Sequence, residues 1–203
     1  MMATSDVRHG VVHKSNRRPP RCGGRPILGR VITRASFCGH IRVTPPLNVA
    51  EFTYLAAFSE SRRHAGRDHP YDVPGHPHDD GPDCTIDRYN TPVDGQPELW
   101  CPWVPCCAGE CLTVDDAEKV GAPVEWLQYL LDHFLRPDAR AASSRSSDFE
   151  AFTFDHVLSD AVAMHCTETG ELSLIGIEDS RVVQVIVCPG EPSDWPAVAS
   201  YLS

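Results

Sequence analysis

The residues with the clearest potential for chemistry are cysteines near the middle of the chain. Residues 98–115, ELWCPWVPCCAGECLTVD, contain Cys101, Cys106, Cys107 and Cys111. A zinc site needs four tetrahedral ligands, and short Cys-x2–4-Cys loops supply two of them at a time. The spacing here is Cys-x4-Cys-Cys-x3-Cys, and adjacent cysteines rarely bind one ion. At most three of these four thiols are therefore candidate ligands.

A fourth ligand would come from the His- and Asp-rich run DHPYDVPGHPHDDGPDC, which ends at Cys84. The candidate metal ligands are Cys101, Cys106, Cys111, His76, His78 and Cys84. The alternative interpretation is a cysteine-rich hairpin that binds no metal, in which Cys101 behaves as a small buried apolar residue. We expect no cofactor, and zinc is the alternative.

Two arrangements could support a small enzyme. A nucleophilic cysteine needs a histidine beside it, so Cys101 would have to meet His133 or His156 in the fold. Asp155 and His156 could also act as orienter and base. The sequence contains no phosphate-binding loop or dinucleotide fingerprint. We name no catalytic residue and expect no catalysis, with a small enzyme as the third-ranked function.

Regular elements must position these residues. Asn48 with Glu51 forms a capping-box pattern that predicts a helix, with Leu47 packing on Phe52. Pro123 and the apolar stripe through Trp126 predict a second helix, which ends at Pro137. Alternating apolar residues predict strands at 40–44, 98–104 and 111–115, and a meander at 161–187 with turns at 169–170 and 179–180.

The order strand, helix, two strands, helix and further strands predicts an α+β fold. We expect a split β-α-β, ferredoxin-like layer with two helices on one face of an antiparallel sheet, extended by a C-terminal β-meander. Residues 30–188 would form this single domain. It would include a long His/Asp/Pro-rich loop at 64–97 and a mobile Ser-rich linker at 137–150, and be followed by a tail at 189–203.

Charge separates the N-terminal region from the rest of the chain. Residues 1–50 contain nine of the 18 Lys and Arg residues but one of the 28 Asp and Glu residues. Residues 1–29 are predicted to be a disordered basic tail, and nucleic-acid binding is not expected except through this tail. The acidic remainder argues against a nucleic-acid surface. No apolar run is long enough for a membrane span, and nine cysteines without an export signal predict a cytoplasmic protein with reduced thiols.

Three segments carry a resemblance to a known family. DRYNTPVDGQPELWCPWVP, VEWLQYLLDHFLRP and FTFDHVLSDAVAMHCTETGELSLIGIEDSRV resemble an uncharacterised family of small proteins from actinobacteria and their phages. Its members carry a Gly-Gln-Pro-x-Leu-Trp-Cys-x-Trp segment and a Val-Glu-Trp-Leu-x-Tyr-Leu helix. The resemblance covers roughly residues 29–187 and supports the fold without implying an activity. The extra cysteines Cys106, Cys107 and Cys111 depart from the family's pattern.

The aromatic residues favour a binding role. Trp100, Trp103 and Trp126 supply large apolar area, and such residues anchor protein interfaces. Their alternative role is core packing. Trp100 and Trp103 should face opposite sides of one strand, so we expect at least one at the surface. The first-ranked function is an accessory or regulatory protein acting through a protein partner, ahead of a zinc-binding module.

Overall fold

Antiparallel strands and helices make up the protein, which confirms the α+β class. The computed structural model describes residues 35–73, 85–106, 108–115 and 121–190, which belong to one compact unit. The strands are β1 (Ala35–Gly39), β2 (Ile41–Thr44), β3 (Trp103–Pro105), β4 (Cys111–Val114), β5 (Val157–Ser159), β6 (Ala161–Cys166), β7 (Leu172–Glu178) and β8 (Arg181–Cys188). The helices are α1 (Val49–Glu60), α2 (Ile86–Tyr89) and α3 (Pro123–Leu130), with a π-helical turn at Leu131–Leu135 and 3-10 turns at Arg140–Ser143 and Ser147–Phe149.

The described strands form two sheets instead of the single sheet expected from the sequence. One sheet has the order β1-β6-β7-β8 and the other β3-β4-β2-β5, and every pairing is antiparallel. Helix α1 contacts β3, whereas α3 contacts both β3 and β8. The ferredoxin-like arrangement is therefore not confirmed. The predicted meander is confirmed as β6, β7 and β8.

A bend in one long ladder separates the two sheets. Gly39 pairs with Val162 in one sheet and Arg42 with Ser159 in the other, and both pairs keep the same register. Gly39 has φ +107, and a Cβ there would lie 2.9 Å from the Ala161 carbonyl oxygen. Asp160, on the opposite strand, also has positive φ. The backbone thus turns sharply where only glycine fits without a clash.

The capping box predicted for the first helix is confirmed. The Asn48 side chain accepts hydrogen bonds from the Ala50 and Glu51 N–H groups, and the Glu51 carboxylate accepts the Asn48 N–H at 2.8 Å. This reciprocal arrangement satisfies donors that the helix itself leaves unpaired. It also fixes where α1 begins, and therefore which side chains, such as Phe58, enter the aromatic core.

The second predicted helix is confirmed, with a difference in its last turn. Pro123 is its first residue, as the sequence indicates. Its final turn, Leu131–Leu135, has π-helical geometry and places Phe134 in the core and His133 near the surface. Such turns are rare and frequently occur at functional sites.

Segments expected to be irregular are packed. In the Ser-rich segment, Ala141 and Phe149 are buried, so the prediction of a mobile linker is wrong for the described structure. In the described start of the His/Asp/Pro-rich segment, the guanidinium of the neighbouring Arg63 donates to the carbonyls of Pro70 and Asp72, which holds residues 70–72 in place. Apolar and polar contacts at a few positions outweigh the polar composition of both segments.

Several predictions lie outside the described residues. They concern the whole basic tail at 1–29, the candidate ligands His76, His78 and Cys84, and most of the tail at 189–203. The predicted strand at 98–104 is shorter than expected, since β3 begins at Trp103. Pro102, which lacks a ladder donor, immediately precedes it.

Candidate interaction surface

The three tryptophans chosen as surface candidates have different environments. Trp103 and Trp126 are fully buried, so the prediction that they form a binding surface is wrong. The Trp103 indole donates to the Pro123 carbonyl at 2.7 Å and thereby joins β3 to the start of α3. Trp100 is half-buried, with the Arg62 guanidinium 5.8 Å from its ring centre. Core packing, the alternative considered for these residues, explains the two buried ones.

Cys101 is a core residue. It is buried, and its thiol contacts the Trp103 carbonyl oxygen at 3.8 Å. Burial raises the pKa of this thiol to about 12. It is therefore protonated near neutral pH and does not act as a nucleophile or metal ligand without a large conformational change.

The described cysteines do not support the predicted zinc site. No group of three or more His, Cys, Asp or Glu side chains within residues 35–73, 85–106, 108–115 and 121–190 could hold a metal ion. Cys106 and Cys111 face each other near the tip of the β3–β4 hairpin, and Cys101 does not complete a cluster with them. Zinc binding that uses His76, His78 or Cys84 stays a prediction.

His156 forms a buried ion pair with Glu51. The sequence had instead suggested the adjacent Asp155 as its partner. Its Nε2 lies 3.1 Å from a Glu51 carboxylate oxygen, and both side chains are 1% exposed. Its Nδ1 lies 2.8 Å from the Pro45 carbonyl oxygen. Because both ring nitrogens face oxygen acceptors, the ring must donate from both and carry a positive charge.

The pKa values of this pair agree with that assignment. Burial raises the pKa of Glu51, but hydrogen bonds from His156, Thr153 and Asn48 outweigh it and lower the pKa to about 2. Burial lowers the pKa of His156, but the hydrogen bonds to Glu51 and Pro45 outweigh it and raise the pKa. The pair connects α1 to the segment before β5. Since both groups are enclosed and mutually satisfied, their role is structural.

The π-helical turn presents a second polar cluster. His133 Nδ1 lies 2.7 Å from the Tyr71 hydroxyl oxygen, and its ring stacks on Tyr129 with ring centres 3.8 Å apart. Burial lowers the pKa of His133 to about 4, and burial raises that of Tyr129 to about 12. The imidazole is therefore neutral at physiological pH. It serves as a hydrogen-bonding and stacking group that holds Tyr71 against the core.

The largest exposed apolar feature of the described sheets lies on the outer hairpin. Four residues of β7 and β8 form what we call the β8 surface: Leu174, Val185, Ile186 and Val187. Val185 and Val187 are each 55% exposed. Leu174 pairs directly with Val185 across the ladder, so their side chains share the outer face. Ile186 follows Val185 along the strand and pairs with Ser173, so its side chain points to the other face, and the exposed apolar residues of β8 lie on both faces. Exposed apolar side chains grouped in this way mark interaction sites.

The backbone of β8 adds unpaired hydrogen-bonding groups to these side chains. The Val182 N–H donates to the Gln128 side chain at 2.8 Å, so it points away from β7. By the alternation of an antiparallel ladder, the N–H groups of Gln184 and Ile186 point the same way. Among the described residues, β8 is the terminal strand of its sheet and no partner accepts these two N–H groups. Residues 184–186 are therefore an open sheet edge.

The edge of β8 lacks the charged residues and prolines that usually prevent pairing with another chain. Residues 182–188 contain no charged side chain and no proline, although natural proteins commonly protect edge strands with Lys or Pro. Carboxylates flank the strand instead. Glu168 and Glu171 lie near its C-terminal end, and Glu178 and Asp179 lie near its start beside Arg181. A shift of register near Leu172 limits the regular edge at the C-terminal end.

A shallow groove of about 180 Å³ lies between the start of α1 and the tip of the β3–β4 hairpin, beside Leu47, Phe52 and Gly109. Pockets for drug-sized ligands typically measure about 300–1,000 Å³. None of the helices in the described ranges is long and apolar enough to cross a membrane.

Comparison with protein families, with curated proteins and with solved structures finds no match to this chain. The resemblance to the actinobacterial and phage family therefore stays a prediction.

The sequence contained a signal for the β8 surface that aromatic content obscured. In VVQVIV, apolar residues occupy both alternating positions. A strand with one solvated face should alternate apolar and polar residues, so this run indicates burial on both faces. The structure leaves Val185, Ile186 and Val187 exposed, so their composition and their exposure disagree.

Proposed function

We propose that this protein is a non-catalytic binding module that takes up a β-strand of a protein partner along the open edge of β8. The observation that carries the proposal is the uncharged strand at residues 182–188, whose apolar side chains and outward N–H groups are exposed together. Added strands gain affinity from main-chain hydrogen bonds and specificity from alternate side chains. The β8 surface supplies both.

The buried polar groups support a binding role over a catalytic one. Glu51 and His156 are enclosed and paired, and Cys101 is buried with a raised pKa. A catalytic pair must instead reach a substrate. The accessible chemistry therefore lies at a sheet edge, where recognition needs no reactive group.

Charge decides which partner fits. The carboxylates Glu168 and Glu171 flank one end of β8, and Glu178 and Asp179 flank the other beside Arg181. A second copy in antiparallel pairing would bring the two acidic ends together, and like charges oppose such a contact. An extended segment with an apolar centre and basic residues at both ends is complementary. The proposed occupant is such a segment of a different protein.

The proposed setting is the cytoplasm. The described cysteines are thiols rather than disulfides, which accords with a reducing compartment. The accessory or regulatory role then consists of holding a partner segment without transforming it.

Two synthetic peptides test the proposal. Both have an alternating Val/Thr centre, one with Lys at both ends and the other with Glu at both ends, and isothermal calorimetry measures their binding. We expect the Lys-flanked peptide to bind about tenfold or more tightly than the Glu-flanked one, a difference of about 1.4 kcal/mol. Failure of both peptides to bind at about 1 mM would contradict the proposal.

A proline pair provides the matched control. Ile186→Pro removes an outward N–H without removing a bond to β7, so the fold should persist and peptide binding should fall about tenfold or more. Ile86→Pro changes another exposed isoleucine, at the first position of α2, where proline is tolerated. It should bind like the parent protein. Sedimentation that shows a dimer dissociated by Ile186→Pro would assign the edge to a second copy and overturn the choice of partner.

A further inference from the structure

The tip of the β3–β4 hairpin places two thiols opposite each other. Pro105 pairs with Leu112, and the next opposed residues are Cys106 and Cys111. The Cys106 N–H donates to the Cys111 carbonyl at 2.8 Å. Hydrogen-bonded antiparallel pairs have Cα atoms about 5.5 Å apart, a separation typical of disulfide-bonded cysteines. The backbone therefore already has a spacing that suits a disulfide bridge.

The two side chains are also in contact. The Cys106 side chain is hydrogen-bonded to that of Cys111, and backbone groups of Ala108, Glu110 and Cys111 donate to its sulfur. Both cysteines are half-buried, so small reagents can reach them. Burial raises the pKa of the Cys106 thiol, but these hydrogen bonds outweigh it and lower the pKa. The Cys106 thiol therefore ionises more readily than an ordinary cysteine thiol, in contrast to the inert Cys101.

Neighbouring backbone bonds hold the hairpin tip in this geometry. Gly109 N–H donates to the Cys106 carbonyl, Leu47 N–H to the Gly109 carbonyl and Val43 N–H to the Glu110 carbonyl, each at 2.8 Å. Gly109 has φ +69, and a Cβ there would lie 2.8 Å from the Leu47 carbonyl oxygen. The turn is thus fixed against the segment that leads into α1. Two thiols held opposite each other lose little freedom when they join.

We propose that Cys106 and Cys111 form a redox-active dithiol site that a low-molecular-weight disulfide oxidises to an intramolecular disulfide. The Cys106 thiolate attacks one sulfur of the reagent, forms a mixed disulfide and releases one thiolate. The Cys111 thiolate then attacks the Cys106 sulfur, forms the Cys106–Cys111 bond and releases the second thiolate. Two protein thiols lose two electrons, the reagent disulfide gains them, and the protons end on the two released thiols.

This site is separate from the β8 surface, since β3 and β4 belong to the other sheet. Its oxidation would add a covalent link at the hairpin tip while leaving the open edge unchanged. A failure of the redox site therefore does not affect the proposed binding function. Failure of the peptide-binding test would likewise leave the redox proposal intact.

Oxidised glutathione is the probe, with mass spectrometry of the intact chain and of its peptides as the readout. The experiment uses the full chain carrying Cys107→Ser, so that the adjacent thiol cannot compete. We expect the peptides that contain Cys106 and Cys111 to lose two hydrogens, to retain no glutathione and to be joined by a Cys106–Cys111 bridge. Dithiothreitol should reverse the change.

Single substitutions separate the attacking role of Cys106 from the resolving role of Cys111. Cys111→Ser removes the resolving thiol, so a glutathione adduct should accumulate on Cys106. Cys106→Ser should slow modification at the hairpin at least tenfold. Cys188→Ser changes an exposed cysteine of β8 and should leave the bridge unaffected. In the Cys107→Ser chain, a stable glutathione adduct on Cys106 or Cys111, or a bridge that joins either of them to another cysteine, would overturn the proposal.

Discussion

The β3–β4 and β7–β8 hairpins have the same connectivity but opposite relations to the core. In the first, Trp103 and Leu112 are fully buried, and the tip is bonded to the residues before α1. In the second, the two-residue turn at Asp179 and Ser180 has positive φ at both positions, and Val185 remains 55% exposed. The first hairpin contributes stability, whereas the second presents an edge.

The difference lies in how the polar groups around each hairpin are paired. Around the first hairpin even the buried ionisable groups Glu51 and His156 are paired. On β8, outward N–H groups lie beside exposed apolar side chains, without a partner among the described residues. Buried polar groups are costly when unpaired, while an exposed edge is costly through unwanted association. Under the proposed function, a partner strand occupies this edge.

The largest expected effect comes from truncating the buried hairpin. Trp103→Ala removes a fully buried indole and its hydrogen bond to Pro123, and we expect a loss of about 4 kcal/mol in the free energy of unfolding. Val185→Ala on the exposed hairpin should change it by about 0.5 kcal/mol or less. Urea denaturation measures both. Similar losses for the two variants would remove the contrast between the hairpins.

The next effect concerns the buried ion pair. The folded-state pKa of Glu51 is about 2, below its ordinary 4.5, so its contribution to stability is present above pH 4.5 and is lost as the pH falls toward 2. The shift corresponds to about 3 kcal/mol. His156 has a raised pKa, so its contribution is present below pH 6.5 and is lost as the pH rises through the folded-state value.

Stability measured against pH therefore checks the pair. Glu51→Gln should reduce the free energy of unfolding at pH 6 by about 3 kcal/mol and flatten its fall between pH 4.5 and 2. The matched control is Glu150→Gln, which changes an exposed glutamate three residues before Thr153. It should change the free energy of unfolding by about 0.5 kcal/mol or less. An unaltered acid profile in Glu51→Gln would refute the structural role of the pair.

The smallest expected effect concerns the hydrogen bond between Gln128 and Val182, which marks where the open edge of β8 begins. Gln128 accepts the Val182 N–H and donates to Asp132 at 2.9 Å, so its side chain is held in place. Gln128→Ala should cost about 1 kcal/mol and speed hydrogen exchange at the Val182 amide. Glu125→Ala, at an exposed position of α3, should leave that amide unchanged. If the Val182 amide exchanged at the same rate in both variants, Gln128 would not be the group that protects the N-terminal end of the β8 edge.

Local signals predicted the elements well because their causes are local. The Asn48–Glu51 capping box, Pro123 at the start of α3 and the Asp179–Ser180 turn all appear as expected. Each depends on contacts within a few residues, so side-chain chemistry and backbone preference determine it directly. The α+β class follows from the order of these elements.

Long-range features were not predictable in the same way. The division into two sheets depends on the bend at Gly39, and neither periodicity nor composition indicates which strands pair across it. Trp103 and Trp126 were assigned to a surface because sequence shows apolar area but not what covers it. For the same reason, the exposure of Val185 became visible only after β8 had been placed at the end of its sheet.

Hydrogen exchange of the β8 amides in the isolated protein tests the central claim most directly. Because Val183 and Val185 N–H groups face β7, they should exchange slowly, whereas those of Gln184 and Ile186 should exchange at least tenfold faster. Adding the Lys-flanked peptide should slow exchange at Gln184 and Ile186 and leave Val183 unchanged. Slow exchange at Gln184 and Ile186 in the protein without peptide would mean that the edge is already covered, and would contradict the account.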